Sequence, residues 1–211
     1  GILAVEHYLV VRNLMYRSVY NHRLNEVCSW LLEKVIKIAR ELGPENIWAD
    51  ETMSQWIWHA EEIDINSFLA NDDIRFTYHL TKWKENGPEP LAKLCKRFLN
   101  RDLFKALDIA ILNNEKQLES LSLARKLCES SGQDPDICCG IRKQKFDGYK
   151  PYKEGLRVWD GSILRSLESC SEVIKGLIVP CESAWLIYPK EIHESLRENI
   201  DILIESSIQS Y

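Results

Sequence analysis

The chain has 211 residues, 45% apolar and 28% charged, with seven tryptophans; this is the composition of a folded globular protein and excludes a disordered tail. A formal net charge of −5 argues against a general nucleic-acid binder, which carries a basic footprint. No apolar run approaches the roughly 18 residues that span a bilayer, and no basic-then-apolar signal segment is present.

Val5 to Leu42 contains neither proline nor glycine. Val27, Cys28, Leu31, Val35, Ile38, Ala39 and Leu42 recur in steps of three and four, which predicts one long amphipathic helix. Within it, Arg12 to Arg23 is unusually polar: three arginines, two tyrosines, two asparagines and a histidine occupy twelve positions. Residues four apart share a helix face, so Arg12, Tyr16 and Tyr20 form one row and Asn13, Arg17 and Asn21 the next. Eight helical residues rise roughly 12 Å, about the length of an extended nucleoside triphosphate. An arginine at one end of such a row can grip phosphate, and an aromatic at the other can pack on a base or sugar. The same spacing also describes ordinary surface arginines and core-edge tyrosines.

Leu42-Gly43-Pro44 predicts the helix stop. Asp50-Glu51-Thr52 starts a short helix around Gln55 to Trp58; Ile63-Asp64-Ile65 alternates but is too short for a strand. Asn71-Asp72-Asp73 sits ahead of Ile74, Phe76, Leu80 and Trp83, and capping by Asn71 explains the acids more simply than a metal does. That helix ends at Asn86-Gly87-Pro88, another runs from Glu89 to Leu99, and Arg101 to Lys105 closes the first half.

Beyond a soft boundary at residues 110–114 the texture changes, giving two regions, 1–112 and 113–211. A helix through Leu118 to Leu127 precedes strands at Ile137–Gln144 and Leu156–Trp159. Six basic residues face two acids between Arg142 and Arg157, read as a solvated loop or as an anion or partner contact. Asp160-Gly161 turns the chain into a helix from Leu167 to Ile178, a strand from Ala184 to Tyr188 and a last helix from Pro189 to Ile208. The expected fold is α+β: a mostly helical first half, then a small mixed sheet with helices in the order α-β-β-α-β-α.

Seven cysteines form an odd set with no C-x-x-C pair, which excludes zinc spacing and a closed disulfide framework and points to the reducing cytoplasm. No phosphate-binding, dinucleotide, zinc-protease or nucleophile-elbow motif occurs, and no histidine precedes an aspartate. No catalytic residue and no metal ligand is therefore assigned. The first residues are Gly-Ile-Leu, so an excised piece of a longer protein is expected.

Three stretches in order carry a resemblance: Val11 to Arg23, Leu69 to Ile74, and Arg101-Asp-Leu-Phe-Lys105. They resemble the metal-dependent phosphohydrolases of the HD superfamily, of the deoxynucleoside triphosphohydrolase type. Tyr149 to Tyr152 and Tyr188-Pro-Lys190 are similar to the α/β C-terminal region of bacterial members. The resemblance implies a catalytic H…HD…D set, lying upstream of Gly1, that holds divalent metal (Mn, Mg, Co or Fe) and activates water for attack on phosphate. It implies Arg12 on substrate phosphate, Tyr20 against the sugar, and Asn21 near the 3′ hydroxyl, where the family carries the longer glutamine. It further implies a regulatory nucleotide site at His22 and Arg23, the latter replacing a lysine, and assembly as a homo-oligomer. The reading from residues alone keeps an alternative: a non-catalytic interaction or oligomerisation module.

Overall fold

The computed structural model of the chain describes residues 1–151, 155–159 and 161–208, with side chains to residue 204. Tyr152, the basic Lys153 and the turn residue Asp160 lie outside the described residues. Two compact units emerge, one made of Gly1–Glu26 with Ala106–Tyr211, the other of Val27–Lys105. No helix is long and apolar enough to cross a membrane among the described residues.

The expected single opening helix is interrupted. It runs as α1 (Ile2–Met15), a π-helical turn (Tyr16–Tyr20), and α2 (Arg23–Leu42). The break needs no proline or glycine because local polar groups satisfy the backbone. The Asn21 amide reaches back five residues to the Tyr16 carbonyl at 2.8 Å. The Asn25 side chain donates to the carbonyls of Val19 and Tyr20 at 2.6 and 3.4 Å. His22 Nδ1 accepts from the Leu24 amide at 3.3 Å, opening α2. Short polar side chains that bond nearby backbone compete with the helix in this way.

The second unit is helical: α2 from Val27 onward, α3 (Glu51–Trp58), α4 (Ile65–Ala70), α5 (Asp73–Asn86) and α6 (Glu89–Leu99). Val27, Leu31, Val35, Leu80, Trp83, Leu91 and Leu94 bury the stripe that the three-and-four period announces. Gly43 ends α2 in the left-handed conformation (φ 77°), which a side chain would disfavour. Asp50 and Asp64 cap α3 and α4. The cap of α5 is Asp72, accepting from the Arg75 amide at 2.8 Å, whereas Asn71 closes α4. Two capped helices meeting there leave Asn71 in the wrong backbone position for the role expected of it. The closing element is held by Arg97, which ion-pairs with Asp102 at 3.5 Å and lies over the Phe104 ring.

The first unit holds the sheets: β1 (Lys105–Asp108), then α7 (Asn114–Ser130), α8 (Pro135–Cys138), β2 (Gly140–Phe146), β3 (Arg157–Trp159), β4 (Leu164–Ser166), α9 (Leu167–Cys170), α10 (Glu172–Ile178) and β5 (Cys181–Tyr188). A short 3-10 turn (Lys190–Ile192) leads into α11 (His193–Ile208). The strand order is β1-β5-β2, with β5 central and antiparallel to β2 from Gly140↔Ile187 to Phe146↔Cys181. β3 and β4 form a separate antiparallel hairpin. The α+β class is as expected, with β1 and β4 added.

Two boundaries differ from the sequence reading. The strand expected from Ile137 begins at Gly140, because Asp134 caps a one-turn helix ahead of it. The helix expected from Leu167 to Ile178 breaks at Ser171, whose extended backbone and hydroxyl cap start α10. Ala184, Leu186, Ile187 and Tyr188 are buried in β5, so its second half is apolar on both faces. α1 is anchored by Leu9, packed with Tyr149, Leu167 and Ile174.

Candidate functional site

The break between α1 and α2 places the polar stretch beside the end of β2. Arg12 donates from Nη1 to the Gly148 carbonyl at 3.2 Å, and its guanidinium carbon lies 4.7 Å from the centre of the Tyr16 ring. Tyr16 stacks on Phe146, with centroids 4.7 Å apart and planes 13° from parallel. Tyr20 follows at 5.0 Å from Tyr16, tilted by 48° and half exposed. The row Arg12–Tyr16–Tyr20 thus survives the π turn and lies against β2. A planar cation over an aromatic face is attracted to its quadrupole, and the Gly148 bond fixes one edge of the fork.

The approach at Gly148 is close. A β-carbon there would meet Asn13 Oδ1 at 2.9 Å and the Leu177 carbonyl at 3.1 Å, so glycine lets this backbone lie against Asn13 and Leu177.

Arg17 and Asn21, the neighbouring row, line a hollow of about 220 Å³ together with Asp108, Phe146, Glu182 and Trp185. The indole Nε1–H of Trp185 is shut from solvent without an acceptor among the described residues. An unmet buried donor of this kind costs roughly 1–3 kcal/mol. His22 and Arg23 are exposed. Arg23 acts at a distance on Tyr188: burial pushes that phenol up to about 12, and the charges of Arg197 and Arg23 oppose the rise.

A buried carboxylate holds Gln144, one of the residues that line the hollow. Glu26, 3% exposed, accepts from Arg142 Nε at 2.5 Å and from Gln144 Nε2 at 2.7 Å. Three of the six basic residues of the cluster are engaged from β2: besides Arg142, Lys143 donates to Asn114 at 2.8 Å and Lys145 pairs with Glu182 at 3.3 Å. Sequence reasoning did not single out Phe146, Gly148, Trp185, Gln144 or Glu26. They stand more than a hundred residues from the stretch they meet, or, for Glu26, look like any helix-surface acid.

Among the described residues, no group of three or more His, Cys, Asp and Glu could hold a metal ion. The described residues do not fit the divalent metal that the resemblance implies. The seven cysteines are free. Burial raises the Cys95 thiol to about 12 and holds Cys139 well above its ordinary value, so both stay protonated.

No family model matches the chain. Over 162 residues it is 24% identical to the uncharacterized protein YwfO of Bacillus subtilis (strain 168), covering 75% of this chain and 37% of YwfO. Its fold matches the crystal structure of a phosphohydrolase from Bacteroides thetaiotaomicron VPI-5482 with a TM-score of 0.72 at 18% identity, covering 90% of this chain and 51% of the other. A hypothetical protein from Aquifex aeolicus matches with a TM-score of 0.56 at 18% identity, over 95% of this chain and 45% of that one. The chain thus has a phosphohydrolase-like fold and spans between about a third and a half of the length of these relatives.

Proposed function

We propose that this chain is the substrate-side, C-terminal portion of an HD-type, metal-dependent phosphohydrolase acting on (deoxy)nucleoside triphosphates or related nucleotides. The observation that carries the reading is the row Arg12–Tyr16–Tyr20, held against Phe146 and Gly148 in a phosphohydrolase-like fold. Arg12 spends one donor on Gly148, leaving other N–H groups of its fork for phosphate oxygens. Tyr20, half exposed, offers a ring to the sugar, and Asn21 an amide to a sugar hydroxyl. His22 and Arg23, both exposed, are the proposed regulatory nucleotide contacts. Divalent metal, bound elsewhere in the parent protein, would supply activated water. Seven free cysteines support a reducing, cytoplasmic setting.

Because these residues bind rather than activate water, the 211-residue chain alone is expected to release no phosphate or triphosphate from nucleotides with Mn²⁺, Mg²⁺ or Co²⁺. A protein that adds an upstream His…His-Asp…Asp set is expected to do so. Metal-dependent turnover by the chain alone, above a blank preparation, overturns the division of labour; no turnover by the longer protein overturns the function.

One observation favours a second reading, a non-catalytic interaction or oligomerisation module. α1 leaves Leu3, Tyr8, Val11, Leu14 and Met15 exposed. Apolar surface of this kind is usually covered by another protein surface. Light scattering is expected to report a dimer or larger species. A 24.6 kDa monomer across a wide concentration range would refute self-association.

A further inference from the structure

We infer that the hollow between the π-helical turn and the β2–β5 ladder receives a nucleobase, and that Arg17 and Trp185 recognise it. The inference rests on the nucleotide reading, because Asn21 belongs to both, and it assigns the base end that the Arg12–Tyr20 row leaves open. All the residues concerned belong to the first unit.

The hollow measures about 220 Å³, room for a planar one- or two-ring heterocycle and too little for a whole nucleoside triphosphate. Its polar groups are uncommitted in a particular way. Among the described residues the Arg17 guanidinium and the Asn21 side-chain amide make no hydrogen bond or ion pair, and the Trp185 indole N–H has no acceptor. The acids are partly engaged: Asp108 Oδ1 accepts from the Ala110 amide at 2.9 Å, and Glu182 pairs with Lys145 at 3.3 Å.

That balance selects the ligand. Two carboxylates beside one guanidinium oppose a phosphate or carboxylate, which would be desolvated next to like charge. A neutral ring edged with carbonyl and N–H groups suits both sets. Its carbonyl oxygens accept from Arg17 and from the Trp185 N–H, and its N–H or amino groups donate to Asn21 and Asp108. The buried indole donor has to turn into the hollow to meet a carbonyl, and its lack of an acceptor among the described residues favours that turn. The walls are otherwise fixed. Phe146 is held from behind by the stacked Tyr16, and Gln144 by the buried Glu26 carboxylate. A pocket whose walls are ordered before binding loses little freedom on binding.

Arg17 is exposed, so Arg17→Ala is expected to fold, and Trp185→Phe keeps an aromatic side chain without the N–H. Proton–nitrogen spectra of the labelled chain resolve the tryptophan indole signals, and Trp185→Phe identifies the one that matters. Titration with uridine and with guanosine is expected to move that signal. Affinity, measured by titration calorimetry because Trp185→Phe lacks the indole signal, is expected to fall about tenfold in Arg17→Ala and in Trp185→Phe, the loss of one good hydrogen bond each. Inorganic phosphate is expected to leave the signal in place. The pocket assignment is overturned if neither nucleoside moves it, or if phosphate alone does. It is also overturned, with the nucleotide reading left standing, if nucleoside triphosphate binds the chain and Arg12→Ala weakens it while Arg17→Ala and Trp185→Phe do not.

Discussion

Glu26→Ala is expected to lower the stability of the first unit by about 3 kcal/mol, near the lower edge of the 3–5 kcal/mol lost when one partner of a buried ion pair is removed. The carboxylate is almost wholly buried and serves two donors, Arg142 and Gln144, from strand β2. Removing it takes from Arg142 and Gln144 the acceptor they share and opens a cavity in its place. Arg142 keeps 22% of its side-chain surface in water, so part of its charge stays hydrated, which sets the loss at the lower edge. The cost belongs to the broken pair, not to any large net worth of the pair itself. Replacing both partners, Glu26→Leu with Arg142→Met, is therefore expected to recover much of the loss. Urea unfolding of the three proteins decides it. A Glu26→Ala midpoint within the error of the wild type, or a double variant worse than the single, would show that the pair contributes little to holding β2.

That brace explains why part of the fold could be read from the sequence and part could not. The stripe Val27 to Leu42, the Gly43 stop and the strand Ala184 to Tyr188 are written in local periodicity, which survives burial. The interruption at Tyr16–His22 is not: the backbone there is held by the Asn21 main-chain amide and by the His22 and Asn25 side chains, and nothing in their spacing distinguishes capping from a solvated face. Strands β1 and β4, of four and three residues, are too short to show alternation and exist through their pairing. The row Arg12–Tyr16–Tyr20 was legible because it is local. Its supports were not, since Phe146 and Gly148 arrive from a strand and loop that composition presents only as a basic segment. Likewise the spacing set Arg17 beside Asn21 but could not say that both face the same hollow as Trp185.

In the longer protein that carries the metal ligands, Arg12→Ala is expected to lower kcat/KM roughly ten- to a hundredfold. A charge-assisted hydrogen bond to phosphate is worth about 1.5–3 kcal/mol, and a loss of about 1.4 kcal/mol is tenfold when the contact persists in the transition state. Arg12 also bonds the Gly148 carbonyl and covers Tyr16, so some stability is expected to go with it. Arg12→Lys separates the two effects: the charge remains, but the planar fork that serves carbonyl and phosphate together is gone, and an intermediate rate is expected. Tyr20→Phe is expected to cost less than Tyr20→Ala, because the half-exposed ring still packs when only its hydroxyl is lost. Lys37→Ala is the control, an exposed lysine 3.7 Å from Glu41 on α2 whose surface pair contributes about 0–1 kcal/mol. Thermal melting first establishes that each variant is folded at the assay temperature. If these side chains are only surface charge and core edge, Arg12→Ala and Lys37→Ala will turn over substrate alike, and Tyr20→Ala will lower the melting temperature without a kinetic effect. That pattern would remove Arg12 and Tyr20 from the substrate site. The ranking Arg12→Ala slowest, Arg12→Lys between, Lys37→Ala unchanged follows only if the guanidinium meets phosphate.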